Sequence, residues 1–94
     1  MILLQVTYSL LPGKRDAFYE ALNRIGVGEG SRAEAGNLQY EYFFSAEDPD
    51  KLMLIERWES QEALDLHKEM PHFKALQPLK AEFLKDTEIK RFDL

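Results

Sequence analysis

The spacing of apolar positions changes several times along this chain, and each change marks an element. Ile2 to Leu11 is a run of aliphatic and β-branched residues that stops at Pro12-Gly13, a turn signal, and it predicts a strand. Leu4, Val6 and Tyr8 on one parity and Leu3, Gln5 and Thr7 on the other both include apolar groups, so this strand is expected near the middle of a sheet, covered on both faces. From Lys14 the spacing becomes helical, with Ala17, Phe18, Ala21, Leu22 and Ile25 on one stripe. Gly26, Gly28 and Gly30 then crowd together. Gly inside a helix costs about 1 kcal/mol relative to Ala, so a kink or break is expected between 26 and 30, with a further helical turn over 31–35. No strand feeds directly into these glycines and no Lys-Ser/Thr follows them, so they are not a phosphate loop.

Gly36-Asn37 turns the chain into an aromatic-rich strand, Leu38 to Ser45, and Ala46 to Asp50 reads as a hairpin loop leading to a returning strand, Leu52 to Trp58. Antiparallel pairing about that loop sets Tyr40 opposite Glu56, Leu38 opposite Trp58 and Tyr42 opposite Leu54 on one face. The other face carries Gln39, Glu41 and Phe43 against Met53, Ile55 and Arg57. Ser60 reads as an N-cap, and Ala63, Leu64, His67 and Met70 form the next helical stripe. Pro71 opens a new short helix whose stripe is His72 or Phe73, Leu76 and, after Pro78, Leu79 and Phe83, and 85–92 alternates as a last strand. Strand, helix, strand, strand, helix pair, strand is the α+β, ferredoxin-like split βαβ plan: a four-stranded antiparallel sheet with helices on one face. The other face would be bare, and a second copy of the same sheet is the economical cover.

Ninety-four residues make one domain with a marginal core, which favours the same supplement. The net charge is −5, and the 12 Lys and Arg form no dense basic block, which argues against nucleic acid or an anionic membrane as partner. Cysteine is absent, removing disulfides, Cys-ligated zinc and thiol nucleophiles. The first residues lack a basic n-region and a cleavage site, and no run approaches the roughly 18 apolar residues of a membrane span. A soluble cytoplasmic protein is the expectation.

Few side chains can move a proton near neutral pH, which draws attention to the two histidines. An imidazole on the apolar stripe of His67 must hydrogen-bond or cost about 1 to 3 kcal/mol. It takes a protein partner, Glu56 or a Tyr hydroxyl, or it takes a substrate group. Glu56 and Trp58 share the Tyr40 face. Trp58 reads as a large core residue or as a flat wall for an aromatic ligand, and Glu56 as an orienter of His67 or a partner for a substrate hydroxyl. His72, just after Pro71, caps a helix or lines a pocket mouth. Two histidines five apart with a proline between them do not share a helical face, which argues against a metal pair. Tyr8, Tyr40, Tyr42, Phe44, Phe73 and Phe83 suit either a small core or a cavity for a planar ligand.

Pro12-Gly13-Lys14, Gly36-Asn37-Leu38 with Tyr40, Glu56-Arg57-Trp58-Glu59-Ser60, Ala63-Leu64, His67 and Pro71-His72-Phe73 together resemble the signature of the antibiotic biosynthesis monooxygenase family. The resemblance covers nearly the whole chain as a single domain, 1–94. It implies a ferredoxin-like subunit that pairs through its sheets into a dimeric α+β barrel, with a pocket between sheet and helices. Members include cofactor-independent monooxygenases of polycyclic phenols and quinols, haem-degrading enzymes and an isomerase of a phosphorylated signal. The haem-degrading branch places its iron-ligating His about where Gln77 stands and an Asn about where Val6 stands, and His67 takes the place of its pocket Trp, so the resemblance disfavours haem. The reading that follows is a homodimeric monooxygenase of a quinol or polyphenol, without cofactor or metal. In it His67 is the base, and Glu56, Trp58, Tyr40, Tyr8 and His72 meet the substrate. Two alternatives stay open. One is an isomerase of a small phosphorylated signal, which needs cations such as Arg24, Arg32 or Lys68 at the pocket. The other is a non-catalytic dimeric ligand-binding domain in which His67 is a satisfied core residue.

Overall fold

A computed structural model describes residues 1–94. In order the elements are β1 (Ile2–Leu10), α1 (Arg15–Ile25), α2 (Val27–Arg32), β2 (Asn37–Phe44), β3 (Lys51–Trp58), α3 (Gln61–His67), α4 (Pro71–Phe83) and β4 (Leu84–Asp93). The four strands form one antiparallel sheet in the order β2-β3-β1-β4, the ferredoxin-like arrangement that the element order predicts. β1, with apolar residues on both parities, is one of the two central strands.

Tyr40 pairs with Glu56 and Tyr42 with Leu54, as the alternation predicts. Leu38 does not pair with Trp58. Asn37 takes that place, and the register shifts between Asn37 and Gln39. The Asn37 side chain explains the slip: its Nδ2 donates to the carbonyls of Gln39 (3.0 Å) and Arg57 (3.3 Å), which leaves Leu38 as the extra residue of a bulge, 46% exposed.

Only Gly26 of the three clustered glycines takes a left-handed backbone, φ 71°, and it ends α1. The helix resumes at once as α2, through Gly28 and Gly30, and not as a separate turn over 31–35. Gly30 is needed for space: a Cβ there would sit 2.6 Å from Nδ1 of His72 on α4. Ser60 caps α3, its Oγ accepting from the Ala63 amide at 3.1 Å. α4 runs unbroken through Pro78 to Phe83, along the stripe the spacing predicts. Pro78 has no N–H for the Lys74 carbonyl, but both residues lie on the exposed side of α4, where water can serve that carbonyl.

The helices cover one sheet face. On it Leu10, Leu52, Leu54 and Trp58 are fully buried against Phe18 and Leu22 of α1. The opposite face carries half-buried Gln5, Thr7, Met53 and Ile55, with Phe43 and Phe92 exposed at 42% and 44%. No element of this chain packs on it. No helix is long and apolar enough to cross a membrane.

Candidate active site

Between the sheet and the helices lies a cavity of about 230 Å³. Its floor is the helix-facing parity of the sheet: Leu4, Val6 and Tyr8 of β1, Tyr40 of β2, Glu56 of β3, and Ile89 and Arg91 of β4. Leu64 and His67 of α3 and Phe73, Leu76 and Lys80 of α4 roof it, with Lys68 at the turn between them. The walls are mostly aliphatic and aromatic, as in sites for small organic ligands, and a few polar groups converge inside.

His67 is the best-placed of these. Its side chain is 2% exposed and its Nδ1 lies 2.7 Å from Oε2 of Glu34, just beyond α2. The same carboxylate oxygen meets Nε2 of His72 at 2.8 Å. With Glu34 ionised, both rings donate to it. That fixes the proton of His67 on Nδ1 and leaves Nε2 with a free lone pair. Oε1 of Glu56 is 3.9 Å from that Nε2, beyond hydrogen-bond reach, and instead accepts from the Trp58 indole N–H at 3.0 Å. The Trp58 ring stacks under His67 with centroids 4.5 Å apart.

Burial sets the protonation states. Desolvation lowers the pKa of His67 although the bond and charge of Glu34 pull it upward, so the ring is held neutral. Desolvation raises the pKa of Glu56, against the Trp58 bond and the charge of Lys80. The phenols of Tyr8 and Tyr40 are pushed far up by burial and stay neutral. A neutral imidazole with an open lone pair beside an apolar cavity can take a proton from a weakly acidic hydroxyl.

Of the residues singled out in the sequence, Tyr8, Tyr40, Glu56 and His67 come together on the cavity. Trp58 lies behind His67 and does not reach the lining. His72 also stays off the lining, half-buried against Glu34. It nevertheless comes close to His67, ring centroids 5.8 Å apart, because the chain folds back over residues 68–70. The five-residue spacing had suggested that the rings stay separate. Glu34, His67 and His72 offer one ligand atom each within 4.8 Å of one another, a donor set that zinc accepts, and in the present arrangement the two hydrogen bonds to Glu34 already satisfy all three. Of the aromatic set, Phe73 lines the cavity, Tyr42 and Phe44 pack on Tyr19, and Phe83 packs on Phe18. Arg32 donates to the Tyr40 carbonyl at 2.7 Å and Arg24 is exposed, so of the three cations considered only Lys68 is at the cavity.

Glu34 and Lys80 are the functional groups the sequence reading missed. Lys80 stands four residues after Leu76 and seven after Phe73, a helical spacing that puts it on the same face. Glu34 gives no periodic signal, because its partners lie 33 and 38 residues further on.

A family model described as antibiotic biosynthesis monooxygenase matches residues 1–79. The chain is similar to the protein named "Putative monooxygenase YcnE" of Bacillus subtilis (strain 168), with 33% identity over 73 residues, 78% of this chain and 75% of that protein. Among solved structures, PA3566 from Pseudomonas aeruginosa matches with a TM-score of 0.90 and 28% identity, over 99% of this chain and 92% of that one. A conserved protein from Methanosarcina mazei Go1 matches with a TM-score of 0.86 and 30% identity, over 97% of this chain and 89% of that one.

Proposed function

The chain belongs to the antibiotic biosynthesis monooxygenase family, and from that premise we propose that it oxidises a quinol or phenol of one or two rings with molecular oxygen, using its own side chains and no cofactor. The observation that carries this reading is the neutral, buried His67, oriented by Glu34 at 2.7 Å and bordering an apolar cavity. At about 230 Å³ the cavity falls below the roughly 300–1,000 Å³ of drug-sized sites, which limits the ring count.

His67 Nε2 takes the phenolic proton, and Glu34 stabilises the imidazolium so formed. The phenolate, richer in electrons than the phenol, passes an electron to oxygen. The radical pair combines at a ring carbon ortho or para to the phenolate oxygen that carries one hydrogen, and the imidazolium returns its proton to the peroxide. Loss of water from the resulting hydroperoxide leaves a carbonyl, so one oxygen atom enters the product, the other leaves as water, and all four electrons come from the substrate. Tyr8 and Tyr40 stay neutral and line the ring. Oxygen uptake with a quinol and no added flavin or metal ion is the primary assay. His67→Ala should lower kcat/KM by about 10²- to 10⁴-fold with the circular dichroism spectrum unchanged. Unchanged turnover removes His67 from the mechanism, and absence of uptake in the wild type removes the oxygenase reading.

A second copy of the chain covers the bare sheet face in this proposal. Half-buried Met53 and Ile55 beside exposed Phe43 and Phe92 make an apolar surface that a small domain gains by burying. Isomerisation of a small phosphorylated signal remains the rival activity, and what favours it is the cationic side of the cavity.

A further inference from the structure

The cavity carries more positive charge than the chemistry above uses. Lys68, Lys80 and Arg91 line it against a single carboxylate, Glu56, in a chain of net charge −5. The three cations differ in standing. Arg91 is exposed and paired with Asp93, Nη2 to Oδ1 3.0 Å. Lys68 is exposed. Lys80 is half-buried, its Nζ 5.9 Å from the centre of the Tyr8 ring, and it makes no hydrogen bond and no ion pair.

A partly desolvated ammonium whose nearest partner is the face of an aromatic ring still has three N–H donors without an acceptor, a costly arrangement. Service as the counter-ion of Glu56 does not account for it, because the two make no ion pair and Glu56 keeps a raised pKa in spite of it. Leu4, Leu76 and Ile89 share the cavity with Lys80, so an anion reaching it must be attached to an apolar body. Lys80 and Arg91 both lie beyond the residues that the family model matches.

We propose that Lys80, flanked by Lys68 and Arg91, is an anion subsite, and that the substrate is an aromatic molecule bearing a carboxylate or phosphate group which Lys80 binds while the ring faces His67. The proposal rests on the reading of this cavity as the substrate site. It makes Lys80 the determinant of substrate class and leaves proton transfer to His67.

Calorimetric titration with three probes that the enzyme cannot oxidise tests it: naphthalene-2-carboxylate, its neutral isostere naphthalene-2-carboxamide, and 2-naphthyl phosphate. At low salt at least one of the two anions should bind about tenfold tighter than the amide, the margin of one charge-assisted hydrogen bond. Lys80→Gln should bring that ratio close to one, and Lys80→Arg should keep most of it. The better-bound anion identifies the class of substituent. Equal binding of anions and amide by the wild type, no binding of any probe, or a ratio that Lys80→Gln leaves intact each overturns the proposal. Because none of the probes turns over, anion selectivity without quinol oxidation would sink the oxygenase reading and keep the subsite.

Discussion

Glu56 is buried, raised in pKa by that burial, and held by one donor, the Trp58 indole. Its native form binds a proton more tightly than the unfolded chain does, so stability falls as pH rises from the ordinary carboxylate pKa of 4.5 through the higher folded value, and the full cost is present above that value. Glu56→Gln keeps an acceptor for the indole and removes the charge. It should raise stability at pH 7 by about 1 kcal/mol, with the gain fading by about pH 4, as read from urea unfolding at several pH values. His67 contributes with the opposite sign: its lowered pKa makes stability fall as pH drops below 6.5, and in Glu56→Gln that acid limb should stand alone. Both residues were legible in the sequence, because each breaks an apolar pattern at a position the pattern itself defines. Glu34 was not, since a single carboxylate after a short helix is chemically ordinary until tertiary folding brings two imidazoles to it.

At the scale of elements, the packing of α2 on α4 depends on the absence of one side chain. Replacing Gly by Ala inside a helix normally gains up to about 1 kcal/mol. At Gly28 the new methyl would meet the flexible Arg32 guanidinium at 3.2 Å and Tyr42 at 3.4 Å, so Gly28→Ala should be near neutral. At Gly30 it would meet the His72 ring at 2.6 Å, and His72 cannot retreat without giving up Glu34. Gly30→Ala should therefore destabilise by about 1–3 kcal/mol in thermal or urea unfolding, the opposite sign to its helix propensity. Helix and strand periods in the sequence located every element except α2 to within a few residues. They failed where side chains act across elements: Asn37 displaced Leu38 from the strand register, and the close approach of His72 explains a glycine that propensity alone reads as a break.

For the whole molecule, the uncovered sheet face is the largest feature without a partner inside the chain. Ile55 sits near its middle, opposite Gln5 on one side and Glu41 on the other. In a two-fold assembly each substitution occurs twice, so Ile55→Asp places two carboxylates in one apolar contact. Sedimentation velocity should give the wild type twice the 11.0 kDa of one chain and the variant a single chain; a monomeric wild type overturns the assembly. Sheet plan, helix layer and the site's strand-borne half were readable from alternation and order. The places of Lys80 on α4 and Arg91 on β4 at the cavity were not, because which long polar side chains turn inward depends on how much wall the sheet leaves open. Trp58, the one tryptophan among 94 residues, lies under the imidazole proposed as base and out of contact with solvent. The chain thus contains a built-in fluorophore whose emission reports from one place only, and a charge gained by that ring, or a molecule settling above it, registers optically in the unlabelled protein.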